Sequence, residues 1–221
     1  MYIVSTGSVG NKQMICERDN PQTWEEKYQT GRAYWDLGGP TPVFERLVTD
    51  LRSGRVCIIG SGRGYDAVVF AKRGFEVTVV DFAPSAIEAA QEEARKAGVA
   101  IDARQMDLFD LPETCSGEFD YVLEQTCFCA IDPKRRREYE EVVWEILKPG
   151  GRLIGLWFPL DRMYLSEGPP WSMSVTEIKS LFDERWQLER EEYPELSIKP
   201  RRGREKLMIF RKLPLSDHFC E

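Results

Sequence analysis

The sequence predicts a single α/β domain. Its sheet should be mostly parallel and seven-stranded, with helices on both faces and an antiparallel strand pair at the C-terminal end. Three observations carry this. Short apolar runs that end in glycine or an acid alternate with stretches of helical spacing along most of the chain. A glycine-rich turn, Gly60-Ser61-Gly62-Arg63-Gly64, follows the first of those runs. The length of 221 residues suits one domain and is enough to bury a core.

Residues 1–21 show no sustained periodicity and are expected to form a flexible arm. From Pro42 to Leu51, apolar residues at Val43, Phe44, Leu47, Val48 and Leu51 have the spacing of one helix face. Val56 to Ile59 is a short apolar run closed by Gly60, the pattern of a strand buried on both faces. A helix from Asp66 to Arg73 is stopped by Gly74, and a second strand runs from Val77 to Asp81. Pro84 opens a helix over Ser85 to Lys96, which Gly98 closes. Proline suits a first turn, where no amide hydrogen is needed, and glycine suits the stop. Strands follow at Ile101–Met106 and Phe119–Leu123, then a helix at Arg135–Leu147 ended by Lys148-Pro149-Gly150-Gly151. A fifth strand spans Arg152–Phe158 and a helix Val175–Asp183, and two closing strands lie near Trp186–Tyr193 and Lys206–Arg211. The domain is therefore expected over residues 22–213, with a tail at 214–221.

Composition removes several function classes. A hydrophobic share of 42% and a charged share of 30% are ordinary for a water-soluble domain. No apolar run reaches the roughly 20 residues a spanning helix requires. The opening residues lack the basic leader, apolar stretch and small-residue cleavage site of a secretory signal, so a cytoplasmic protein with no membrane partner is expected. A net charge of −7 gives no attraction to nucleic acid. The six cysteines form no CxxC pair and the one histidine, His218, lies in the tail, so no metal site is expected and the thiols fit a reducing compartment. The chain is expected to act as a monomer on a small molecule.

Open parallel sheets bind ligands beyond the carboxyl ends of their strands, where the strand order reverses, so the turn after the first strand is the place for a cofactor. There Gly60, Gly62 and Gly64 allow a sharp turn and leave no Cβ between backbone and ligand. The spacing is GxGxG, and Tyr65 stands where a dinucleotide site carries its third glycine, which disfavours an oxidoreductase. Asp81 ends the next strand about 20 residues on, where an acid accepts ribose hydroxyls. Asp107 follows the third strand. Its carboxylate can accept the adenine amino group between the apolar faces of Phe82 and Leu108, or it can simply cap a turn. Acids or glycines at the ends of three successive strands point to a nucleoside cofactor without a pyrophosphate, S-adenosylmethionine, with S-adenosylhomocysteine as the product.

Four stretches then carry a family resemblance. The first is Trp24-Glu25-Glu26-Lys27-Tyr28 with Gly31, Tyr34-Trp35-Asp36 and Pro40-Thr41-Pro42. The second is the glycine loop with Tyr65-Asp66. The third is Phe119-Asp120 through Glu124-Gln125-Thr126-Cys127-Phe128-Cys129-Ala130-Ile131, and the fourth is Pro200-Arg201-Arg202-Gly203-Arg204-Glu205-Lys206-Leu207. The chain resembles the thiopurine S-methyltransferase superfamily, and within it the plant-type thiol and halide methyltransferases. The resemblance implies a Rossmann-like class I methyltransferase that transfers a methyl group to a small nucleophile: a thiol or thiolate, bisulfide, a halide or a thiopurine sulfur.

The resemblance also implies roles. Trp24, Tyr28 and Trp35, in a segment over residues 22–52, would cover the cofactor and attract its sulfonium by cation–π interaction. Asp66, Glu124 and Gln125 would lie at the cofactor. Arg201, with Arg202 second, would hold an anionic acceptor. Phe158 stands where the halide enzymes carry a tyrosine near the acceptor, which weighs against halide. Tyr28 replaces a tryptophan and Glu124 an aspartate of the family pattern. A thiolate acceptor needs orientation and desolvation rather than a strong base. Two alternatives remain. A nitrogen or oxygen acceptor would need Glu124 as its base, and a non-catalytic S-adenosylmethionine-binding module would need neither arginines nor aromatic cover.

Overall fold

The computed structural model describes residues 20–160 and 168–214, so the expected arm through residue 19 and all but residue 214 of the tail, with Cys16, His218 and Cys220, lie outside the described residues. Helix α1 (Pro21–Gln29) opens the described chain. Asn20 caps it by accepting the Gln22 N–H at 3.0 Å, and Pro21 fills its first position. Helix α2 (Pro42–Leu47) tightens into a 3₁₀ turn that ends at Asp50. The alternating core follows as β1 (Arg55–Ile59), α3 (Tyr65–Lys72), β2 (Glu76–Asp81), α4 (Pro84–Ala97) and β3 (Asp102–Gln105). Then come α5 (Pro112–Cys115), β4 (Phe119–Gln125), α6 (Arg136–Ile146), β5 (Leu147–Trp157), α7 (Val175–Leu181), β6 (Trp186–Glu192) and β7 (Lys206–Lys212).

The strands form one seven-stranded sheet in the order β3-β2-β1-β4-β5-β7-β6. Strands β1 to β5 are mutually parallel. Strand β7 pairs antiparallel with both β5 and β6, so β6 runs with the parallel set and β7 alone runs against it. The order reverses between β1 and β4, whose ends are level through the pairing of Ile59 with Glu124. The expected α/β architecture is thus the observed one. Strand β5 begins at Leu147, earlier than expected: Leu147 already pairs with Phe119, and the Lys148–Gly151 stretch, with a left-handed step at Gly150, is taken up in a register shift. The short helix α5 was not foreseen, since four residues carry no readable period.

Two apolar layers hold the sheet. One face packs Tyr139, Trp157, Phe182 and Phe210 under α6 and α7, and the other packs Phe44, Phe70, Phe75 and Ile87 under α2, α3 and α4. Burying a large apolar side chain contributes about 1.5–3 kcal/mol. Gly64 lets α3 and α4 close: its φ is +74°, and a Cβ there would stand 2.6 Å from that of Ala90. No helix among the described residues is long and apolar enough to cross a membrane.

Candidate functional site

The carboxyl ends of β1 to β5 open onto one cavity of about 950 Å3. Gly60 enters from β1, Asp81 and Phe82 from β2, Asp107 and Leu108 from β3, Thr126 from β4 and Phe158 from β5. Trp24, Tyr28 and Trp35 close it from the N-terminal side, and Arg201 and Arg204 from the C-terminal loop.

At Gly60 the backbone has φ +56°, and a Cβ would lie 2.8 Å from both Cβ and Sγ of Cys127. No side chain fits there, which leaves the main chain bare at the cavity. Asp81 accepts the Gly62 N–H at 3.1 Å and the Ala83 N–H at 3.0 Å. Burial pushes its carboxyl up to about 6, against the pull of those donors. A ligand with paired hydroxyls would supply the further donors that a buried carboxylate lacks. Asp107 does cap a turn, accepting the Phe109 N–H at 3.1 Å, and it also faces the cavity; the two readings of this residue are compatible.

Helix α1 delivers the aromatic wall. Glu25 accepts the Ser85 N–H at 3.0 Å and the Ser85 hydroxyl, which fastens α1 to the N-terminus of α4, a favourable place for a negative charge. Trp35 stands edge-on to Trp24 at 5.1 Å and to Tyr28 at 5.5 Å, and its indole N–H donates to the Tyr28 hydroxyl at 3.3 Å. The wall already carries a cation: the Lys27 ammonium lies 4.0 Å from the Trp24 ring centre and 5.7 Å from that of Trp35. A bare glycine backbone, a desolvated acid and a cation-attracting wall fit S-adenosylmethionine, whose ribose diol and sulfonium need such partners.

On the far side, Arg201 is 6% exposed. Its Nη2 donates to the Trp35 carbonyl at 3.0 Å, while Nη1 lies 4.0 Å from the Glu205 carboxylate and has no hydrogen-bond partner. The guanidinium of Arg201 sits 5.2 Å, and that of Arg204 5.4 Å, from the centre of the Phe158 ring. Sequence reasoning missed Arg204. The Arg204 N–H returns to the Arg201 carbonyl at 2.8 Å in a helical turn, so a spacing of three brings the two arginines to one side. That turn leaves Arg202 exposed and outside the cavity lining.

Five of the other expected residues sit behind the wall. Gly62 lies beneath Tyr28, whose hydroxyl would be 3.3 Å from a Cβ, and Gly64 serves helix packing. Asp66 takes the Thr41 N–H at 2.8 Å and its hydroxyl at 3.0 Å, and burial raises it to about 6. Gln125 reaches the same hydroxyl at 2.8 Å. These groups tie the start of α2 to the first turn of α3 and to the end of β4, beside a second, smaller cavity of about 70 Å3. Glu124, near the end of β4, is buried as well, away from the cavity lining. Cys127 and Cys129, by contrast, do line the cavity. Reading cysteines for metal spacing alone gave no signal for them, although both stand in the third stretch of the resemblance. Burial holds both thiols well above their usual range.

The family model of thiopurine S-methyltransferase matches residues 19–212. The chain is 34% identical to a probable thiol methyltransferase 2 of Arabidopsis thaliana, with 86% of this chain and 84% of that protein covered. It is 32% identical to thiocyanate methyltransferase 1 of Brassica oleracea, over the same shares. Among solved structures, a 1,6-didemethyltoxoflavin-N1-methyltransferase of Burkholderia thailandensis, with S-adenosylhomocysteine bound, superposes with a TM-score of 0.68 at 20% identity, covering 88% of this chain and 87% of that one. That likeness speaks for the fold.

Proposed function

The chain belongs to the thiopurine S-methyltransferase family, and from that premise we propose that it methylates a small anionic sulfur nucleophile drawn in by Arg201. Membership makes it an S-adenosylmethionine-dependent enzyme acting on sulfur in small molecules. The observation that supports this acceptor is the place of Arg201, a buried guanidinium that lines the cavity 5.2 Å from the Phe158 ring and is paired with Glu205 only at 4.0 Å. Burial lowers its pKa, but a guanidinium stays protonated, so the wall keeps its positive charge. An anion between Arg201 and the aromatic wall would be drawn by that charge.

When bound, S-adenosylmethionine would supply a methyl group carried on a sulfonium, with a neutral thioether as the leaving group. The protein's own part is to bind, align and dry the site. Asp81 would accept the ribose hydroxyls, Phe82 and Leu108 would flank the adenine, and Trp24, Tyr28 and Trp35 would exclude water near the sulfonium. Arg201 would hold the acceptor in line. A thiolate brings its own electron pair and needs no base, and the described residues include no histidine. The free thiols of Cys57, Cys115, Cys127 and Cys129 support a reducing, cytoplasmic setting.

The pH dependence of turnover tests this reading. With two thiols of different acidity, kcat/KM should rise with pH toward each thiol's own pKa and then level, because the thiolate is the reacting species. A single rising limb shared by both thiols would assign the titration to an enzyme base and overturn the proposal.

A further inference from the structure

The Glu124 side chain ends behind the cavity, and what it holds there is one turn of the cavity wall. Its carboxylate receives the Phe128 N–H on both oxygens, at 3.1 and 3.2 Å, and the Tyr139 hydroxyl on one, at 3.3 Å. Phe128 is a buried anchor, edge-on to Tyr139 and to Trp157 at 5.1 Å each. The residues around it, Thr126, Cys127, Cys129, Ala130 and Ile131, face the cavity. The turn starts under strain: Thr126 has φ +58°, the left-handed region, which costs a β-branched residue about 1–3 kcal/mol and persists only where the surroundings impose it. The wall is tied onward too. The Cys129 thiol donates to the Thr126 carbonyl at 3.3 Å, and the Cys129 carbonyl accepts the Trp171 N–H at 2.7 Å.

We infer that Glu124 is a positioning residue, a latch that holds the Thr126–Ile131 turn in its strained form and so fixes the wall against which acceptor and methyl group are aligned. It is 1% exposed and stands outside the cavity lining, so it cannot reach an acceptor to take its proton. An in-line displacement is sensitive to such a wall: a misplacement of about 1 Å can cost roughly a hundredfold in rate. The turnover readout rests on the sulfur-acceptor reading above; the remaining readouts do not.

The test compares Glu124→Gln with Glu124→Ala, measuring kcat and KM for a thiol, cofactor affinity by calorimetry, and amide exchange at Phe128. The glutamine keeps an oxygen for the Phe128 N–H, and the Tyr139 hydroxyl turns to accept from its amide. That variant should keep kcat within about threefold of wild type. Alanine should lower kcat by about 10- to 100-fold and speed Phe128 exchange, with cofactor affinity within about threefold of wild type. Glu124→Gln as inactive as Glu124→Ala, with a limb of the pH profile lost, would make Glu124 a base and overturn the inference. Full kcat in Glu124→Ala would overturn it equally. If Glu124→Ala does not fold, Glu124→Gln alone decides, since inactivity in that isosteric protein contradicts a latch and retained turnover with Phe128 protection supports one. A wild-type protein inactive on every thiol would sink the acceptor reading instead, and Phe128 exchange would still test the latch.

Discussion

Replacing Arg201 by methionine is expected to lower kcat/KM for a thiolate acceptor by about 10- to 150-fold, the equivalent of one charge-assisted hydrogen bond of about 1.5–3 kcal/mol. Methionine keeps much of the apolar stem and removes the cation. The substitution also has two structural consequences that the kinetics must be separated from. It leaves the buried Glu205 carboxyl without its nearest cation, 4.0 Å away, so thermal stability falls. It frees the Trp35 carbonyl, which held Nη2 at 3.0 Å, so cofactor affinity falls by the lesser amount of a single hydrogen bond to a neutral carbonyl. A second substitution, Glu205→Gln, should recover stability without recovering turnover. Arg202→Met, at an exposed position off the cavity, should leave the thiolate rate unchanged. Steady-state kinetics below the melting temperature of each variant measure all of this, and an Arg201→Met enzyme with wild-type acceptor kinetics would remove Arg201 from the site.

Asp81→Ala should weaken S-adenosylmethionine binding by about 10- to 150-fold, read by calorimetry, because hydrogen bonds to a buried carboxylate are among the strong ones. Part of that loss comes through the protein, since the Gly62 and Ala83 N–H groups lose their acceptor and the glycine loop loosens. Asp81→Asn keeps an acceptor oxygen without the charge and should fall between alanine and wild type. The pH dependence carries a sign. Burial raises this carboxyl to about 6, and donor hydroxyls favour its ionised form, so binding releases a proton. Wild-type affinity should therefore weaken as pH drops through about 6 and level off above it, and the alanine variant should lose that dependence. Unchanged affinity in Asp81→Ala would take the residue out of the cofactor site.

Much of this was legible in the sequence because backbone geometry writes itself locally. A sharp turn at Gly60 and a strand ending at Asp81 need particular residues at particular steps, and both reach the cavity. The strand ends supplied Phe82, Asp107, Leu108 and Phe158 for the same reason. Side-chain direction was less legible. Arg201 and Arg202 are adjacent in sequence, yet the turn after Ile198 sends one into the cavity and the other to solvent, and it brings Arg204 round instead. Asp66, Glu124 and Gln125 sit in stretches shared with the family, but such sharing does not separate a residue that touches ligand from one that braces the wall. Their hydrogen bonds to Thr41, Phe128 and Tyr139 are made with partners up to 84 positions apart in the chain, which no local pattern announces. The thiols of Cys127 and Cys129 went unread because their place depends on the left-handed step at Thr126, which no local residue preference announces.

Methyl transfer to a small sulfur nucleophile can be read from the fate of the methyl group itself. The purified protein is incubated with S-adenosylmethionine carrying an isotopic methyl label and with alkyl and aromatic thiols, bisulfide, iodide and small amine and phenol acceptors, and the products are identified by mass spectrometry. Label is expected on the sulfur of thiols or bisulfide, with little on iodide given the apolar Phe158 and none on nitrogen or oxygen. Label confined to amines or phenols, or no labelled product despite tight cofactor binding, would contradict transfer to sulfur.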